Sequence, residues 1–271
     1  MKKILYYIPL LLFICSCEDV IDLELESSEP RLVIDAQFNV YTTETPVRTN
    51  GLIKLSLTTD FFSTEKSPVT NAIVSITDLS SGTVYPFTSN GTAGYYQSLT
   101  TTFTPEFNTR YKLDINYDNQ DYTSETTLIP SVPIDNVEQG DGILFDEDDT
   151  ELIVSFTDNA NRDDFYVFNL DFGEFLTTED EFYQGETFKF SYFYDDLSPG
   201  KEVLIKLNGV DEQFYNYMNL VLDQSGEGAG GPFQPTPATI RGNIINSTDA
   251  DNYALGYFSI SETYEYTITI N

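Results

Sequence analysis

This chain of 271 residues contains no histidine and two cysteines, which limits its chemistry before any element is placed. Without imidazole there is no Ser-His-Asp or Cys-His nucleophilic arrangement, and no histidine-ligated zinc. Cys15 and Cys17 stand two positions apart, and no other cysteine exists to complete a metal or redox site. Nucleotide fingerprints are also missing. "GEGAGG" (226–231) resembles a phosphate-cradling loop only in composition, since it lacks a lysine and runs into Pro232. The 44 acidic residues leave paired-carboxylate catalysis open in principle, but with so many acids the sequence selects no pair. Calcium takes oxygen ligands alone. "FDEDDTE" (145–151), "DNANRDD" (158–164) and "STDADN" (247–252) are the turns that would supply them, although solvated surface explains them more simply. None has the twelve-residue helix-loop-helix pattern with glycine sixth. The expectation is a protein that is not an enzyme and has no cofactor, with Ca2+ the one metal its turns would suit.

The cysteines have another explanation. Lys2 and Lys3 form a positive start, residues 4–14 are apolar apart from two tyrosines, and Ser16-Cys17 follows. That is a secretory leader with a small residue before the cut. It is too short for a dedicated membrane span, which needs ~20 residues. A cysteine directly after the small residue indicates a bacterial lipoprotein signal over 1–16, with Cys17 acylated as the first mature residue. Removing the leader takes away two of the 13 basic residues and none of the acids, so the formal charge of −31 becomes more negative still. Such a charge repels nucleic acid, whose binders need a basic footprint, and argues against adsorption to anionic membrane through the protein surface. Attachment must come through the N-terminal lipid.

Residues 17–30 form an acidic tether. Within it, Glu18 and Asp19 read either as part of a passive spacer or as a sorting signal. From residue 31 the pattern is β. "RLVIDAQFNV" (31–40), "GLIKLSLTTD" (51–60), "NAIVSITD" (71–78), "TVYPF" (83–87), "YYQSLTTTF" (95–103), "RYKLDINY" (110–117) and "DYTSETTLI" (121–129) alternate or run apolar between turn clusters. Pro130 and Pro133 mark a linker. The second half continues with "ELIVSFTD" (151–158), "DFYVFNLDF" (164–172), "TFKFSYFYDD" (187–196) and "KEVLIKLNG" (201–209). Val210, Phe214, Tyr217, Met218 and Val221 then recur at helical spacing, which predicts a helix near 210–224 capped by Asn208 and stopped by Gly226. Strands "ATIRGNII" (238–245), "YALGYFSIS" (253–261) and "TYEYTITIN" (263–271) end the chain. The expected architecture is mainly β. It comprises two tandem antiparallel β-sandwich domains of immunoglobulin/transthyretin-like type, 31–130 and 131–271, the second with one inserted α-helix.

"CEDVIDLE" (17–24), "PRLVIDAQF" (30–38), "NAIVSITD", Gly94-Tyr95-Tyr96 and "RYKLDI" (110–115) together resemble the first domain of a Bacteroidetes outer-membrane lipoprotein family. "PFQPTPATIRGNI" (232–244) followed by "ALGYFSIS" (254–261) resembles its C-terminal hallmark. That family is catalogued as a domain of unknown function, and its genes often lie beside TonB-dependent receptors. The resemblance brings no catalytic residues. It implies a lipid-anchored outer-membrane protein, and the acidic run after Cys17 is similar to the export signal that sends such lipoproteins to the cell surface.

Two functional classes follow. One is a non-enzymatic accessory subunit docking on an outer-membrane β-barrel protein, either a TonB-dependent transporter or assembly machinery. The other is a stand-alone glycan- or peptide-binding surface lipoprotein. The long Gly/Pro-rich loop 226–237 carries one apolar ring, Phe233, which would either contact the partner or pack internally.

Overall fold

Strict alternation makes the first strand. In β1 (Leu32–Tyr41), Leu32, Ile34, Ala36, Phe38 and Val40 are buried, while Asp35 and Gln37 between them are exposed. The computed structural model describes residues 29–60, 63, 65–98, 103–142, 149–195, 197–225 and 239–271. The fold below is the unit Pro30–Thr59 with Glu65–Asn271; a second unit, Met1–Glu29 with Asp60–Thr64, lies almost wholly outside the described residues. Cys17, Glu18, Asp19 and Phe233 are all outside them, as is Gly226.

The first half continues with β2 (Arg48–Asn50), β3 (Ile53–Leu57), β4 (Ser67–Pro68), β5 (Ile73–Asp78), β6 (Val84–Ser89), β7 (Tyr95–Ser98), β8 (Arg110–Tyr117) and β9 (Gln120–Ile129). After the Pro130–Pro133 linker come β10 (Ile134–Gln139), β11 (Thr150–Thr157), β12 (Phe165–Asn169), β13 (Phe175–Glu179), β14 (Thr187–Tyr194) and β15 (Glu202–Val210). A helix, α1 (Glu212–Gln224), precedes β16 (Ile245–Asn246) and the long β17 (Leu255–Thr269). The chain is mainly β, as its alternation predicts.

The pairing departs from two tandem sandwiches. The eight strands β17-β1-β3-β7-β6-β5-β8-β9 pair in sequence, and β9 pairs back to β17 through Ile260↔Leu128 and Ser261↔Ile129. The first half is therefore a closed eight-strand barrel, and its closing strand comes from the C-terminus. Closure removes the free edges on which chains aggregate. Its interior is filled by side chains. Phe38 meets Phe87, Phe103 and Phe258 edge-on at 5.8, 5.2 and 6.3 Å, contacts that add ~0.5–1.5 kcal/mol each beyond area burial.

β17 belongs to both halves. Residues 255–262 run parallel to β1, from Val33↔Leu255 to Val40↔Glu262. The same strand then continues antiparallel to β15, from Asn208↔Thr263 to Glu202↔Thr269. Sequence reading breaks this segment into two strands at 262, because local pattern cannot show that one extended run changes neighbours midway. The sheet β13-β12-β15-β17 faces the three-stranded sheet β10-β11-β14. Phe156 of β11 contacts Tyr166 and Phe168 of β12 across the gap, both at 5.4 Å.

Glycine is required where backbones touch. A methyl at Gly256, which has φ +99°, would lie 1.9 Å from the Ile34 carbonyl oxygen, and one at Gly242 would lie 1.6 Å from the Gly256 oxygen. The first contact brings β17 onto β1, and the second packs the segment before β16 onto β17. Helix α1 lays Phe214 and Met218 against Val167, Val210 and Tyr257. Its cap is Asp211, whose carboxylate accepts the Phe214 N–H at 2.7 Å. The expected cap, Asn208, lies in β15, opposite Val167 and Thr263. Strand pairing outcompetes a cap there, and Asp211 is the first residue free of the sheet. No helix of the described residues is long and apolar enough to cross a membrane.

Candidate functional site

The β12–β13 hairpin pairs Phe165 with Glu179, so the residues just outside that pair, Asp164 and Asp180, meet at its end. The Asp164 N–H donates to Asp180 Oδ2 at 2.8 Å, and the Asp180 N–H donates to the Asp164 carbonyl at 3.1 Å. Asp158, at the end of β11, completes a cluster in which the three carboxylates offer oxygens within 4.8 Å of one another. It is the one such cluster among the described residues. The 158–164 turn supplies two of its members, as its composition suggested. Asp180 comes from outside that turn, and only the hairpin register could have found it.

The oxygens already have partners. Arg162 Nε donates to both oxygens of Asp164, at 2.5 Å to Oδ1 and 2.7 Å to Oδ2. The Tyr166 hydroxyl donates to Asp158 at 2.6 Å and also lies 3.0 Å from Asp164, and the Gly185 N–H donates to the other Asp158 oxygen at 2.8 Å. Arg162 also donates to the Ser131 carbonyl at 2.9 Å, which joins the cluster to the interdomain linker. Burial pushes the Asp164 carboxyl above its usual range, and Arg162 offsets only part of the shift. Burial, then the bond to Asp158, pushes the Tyr166 phenol upward as well.

With Asp158, Asp164 and Asp180 only 6%, 5% and 7% exposed, no substrate-sized group reaches them. A cation would have to displace Arg162 and Tyr166 from the positions they hold. The donor set fits an internal brace better than an open calcium site. Of the other two oxygen-rich turns, 247–252 lies within the described residues, whereas 145–148 of the 145–151 turn lie outside them. Glu151 accepts from Gly142 N–H at 2.7 Å and from Ser191, and the Asp249 side chain accepts the Asp251 N–H at 3.0 Å.

A shallow groove of ≈ 310 Å³ lies on the outer face of β5, β8 and β9, bordered by Ile73, Lys112, Asp114, Asn116, Asp121 and Ser247. Its polar groups pair among themselves: Lys112 with Asp114 at 2.6 Å, and Asn116 with Asp121 at 2.7 Å. Elsewhere, Phe182 stands 88% exposed on the 3-10 turn Asp180–Phe182, beside the buried acids.

Fold and cluster together define a mainly β protein whose buried polar groups brace the junction between its halves. Residues 18–267 match the family model described as Domain of unknown function (DUF4249), and the chain belongs to that family. A comparison with curated proteins finds no match. Among solved structures, the chain is similar to a DUF4785 family protein from Legionella pneumophila at 15% identity and a TM-score of 0.24, with 66% of this chain and 52% of that one covered. It is also similar to a segment of two fibronectin type-III domains from chicken tenascin at 11% identity and a TM-score of 0.21, covering 67% and 91%. The chain spans about half the length of the Legionella protein.

Proposed function

We propose that this chain is a lipid-anchored outer-membrane surface protein of Bacteroidetes type that works by contact, as a non-enzymatic accessory subunit of a β-barrel complex such as a TonB-dependent transporter or assembly machinery. The observation that carries this reading is where the family match starts. It begins at Glu18, directly after Cys17, and leaves outside it the segment read as leader and lipidated cysteine. Glu18 and Asp19 then act as the surface-sorting signal. On this reading the two halves are tandem sandwich-type units of immunoglobulin/transthyretin-like kind, the first closed by a strand borrowed from the C-terminus. Phe233, or the exposed ring of Phe182, supplies the contact.

The test is purification in mild detergent from the native membrane. A stoichiometric barrel partner is expected, together with release of the protein from membranes in Cys17→Ala but not in Cys15→Ala. An unmodified mature N-terminus by mass spectrometry would overturn the anchor, and purification without a barrel would overturn the subunit reading. The groove beside Ile73 favours the second reading, a stand-alone binder of a small polar glycan or peptide. Measurable ligand affinity without a barrel partner would select it.

A further inference from the structure

Two arginines share one ring. The Arg31 guanidinium carbon lies 3.7 Å from the centroid of Tyr253, and that of Arg241 lies 3.5 Å from the same centroid. Two guanidinium groups that close cannot occupy one face, so they enclose the ring from both sides. Neither has a carboxylate partner among the described residues, whereas the other three arginines, Arg48, Arg110 and Arg162, all do; of the described lysines, Lys112 and Lys189 do and Lys54, Lys66, Lys201 and Lys206 do not. In a chain with 44 acidic residues against 13 basic ones, two adjacent arginines without an acid need a physical reason.

All three residues are held by the fold. Arg31 directly precedes β1; its N–H donates to Thr58 Oγ1 at 2.9 Å and its Nη1 donates to the Asp251 carbonyl at 2.9 Å. The Asp251 contact uses its backbone oxygen, so it does not neutralise the charge. Arg241 is followed by Gly242, which lies against Gly256, and by Asn243, whose amide exchanges hydrogen bonds with the Phe258 backbone at 2.8 and 2.9 Å. Tyr253 lies between Asn252, whose carbonyl accepts from Asn246 at 2.7 Å, and the buried Ala254.

Like charges on opposite faces of one ring repel, and the ring's negative faces offset only part of that. A guanidinium has five N–H donors in a planar fork, and among the described residues Arg31 Nε and Nη2 and the Arg241 donors have no protein acceptor. We propose that Arg31, Tyr253 and Arg241 form a binding site for a phosphate dianion, inorganic or terminal on a monoester, seated at the rim of the tyrosine ring and held by both forks. The net charge of the chain does not prevent this. At physiological salt, charges more than ~8 Å away are largely screened, so the two nearby cations dominate. The dianion has two sources, free phosphate in solution or a phosphate headgroup at the membrane surface, and the site itself does not depend on the lipid anchor.

The experiment uses the full chain in neutral detergent, with ³¹P NMR and calorimetry as readouts. Inorganic phosphate is one probe; micelles doped with phosphatidate, against phosphatidylcholine alone, are the other. The expected result is binding to at least one probe that weakens tenfold or more in both Arg31→Gln and Arg241→Gln and falls with added salt. Arg241→Lys, which keeps the charge but loses the stacked fork, gives an intermediate loss. Binding of free phosphate identifies the soluble source, and response to phosphatidate alone identifies the headgroup. Melting temperature checks that the variants fold; Arg241 is exposed, so its variant retains the barrel. No binding of either probe, or binding indifferent to both substitutions, overturns the proposal. So does a variant that only lowers the melting temperature, because the stack is then a structural contact.

Discussion

Glu262 accepts the backbone N–H of Ser131 at 2.8 Å, so a carboxylate in the C-terminal strand holds the linker between the two halves. Its other oxygen accepts from Thr42 and, at 3.3 Å, from the Tyr264 hydroxyl. Glu262 is the last residue of β17 paired with β1; at Thr263 the strand begins to pair with β15. One buried side chain thus ties together the barrel, the linker and the second sheet. Glu262→Ala leaves the Ser131 N–H unpaired in the interior and should cost ~2 kcal/mol. Glu262→Gln keeps an acceptor for Ser131 and should cost less. Chemical denaturation of the two variants checks the order.

The borrowed strand makes the first half dependent on the second. A fragment ending at residue 130 lacks Phe258 and Ile260 from its core and leaves β1 and β9 without their common neighbour. Far-UV circular dichroism should show it unfolded, although its own strands carry complete alternation. A cooperatively melting fragment would refute this dependence.

Gly256→Ala places a methyl against the Ile34 carbonyl at a backbone conformation that L-residues rarely adopt. The clash is with backbone, so no side chain can rotate away. A loss of about 4 kcal/mol or more is expected, in the range reserved for severe mechanisms. The melting temperature of the full chain measures it.

The turn after β5 gives a pH signature. The Asp78 carboxylate accepts from the Ser80 and Ser81 hydroxyls at 2.6 and 2.8 Å and from their N–H groups at 2.7 and 3.1 Å. These bonds, the Ser80 hydroxyl first, lower its pKa from 3.8 to about 2. The stabilisation is present above pH 3.8 and is lost as pH falls through about 2. Carboxyl ¹³C NMR should report that midpoint, and Ser80→Ala with Ser81→Ala should return it toward 3.8.

Asp164 carries the opposite sign. Burial raises its pKa despite Arg162, so its favourable contribution is full below pH 3.8 and is lost as pH climbs through the raised folded value. Tyr166→Phe removes the hydroxyl whose one hydrogen Asp158, at 2.6 Å, and Asp164, at 3.0 Å, share, should cost ~1–3 kcal/mol at neutral pH, and should move the Asp164 titration further upward. Stability measured against pH in the variant and the parent tests both statements. An unchanged profile would mean that the hydroxyl does not support the buried acids.

Which residues face inward was legible in local pattern alone. The alternation in β1 and the helical spacing of Phe214 and Met218 are local records of one-sided burial, and both elements form where that pattern puts them. It also placed Asp158 and Asp164 in one acidic turn. Which elements are neighbours became clear in the folded molecule and not before. Backbone N–H and C=O groups are the same at every position, so a strand's pattern shows its buried face without naming its partner. Hence β17 read as two strands of a second domain, although its first part closes the barrel. Asp180 joined Asp158 and Asp164, and Arg241 met Arg31 across Tyr253, through contacts between segments distant in sequence. Asn208 had the composition of a cap, but β15 holds it in the sheet and leaves the helix to Asp211.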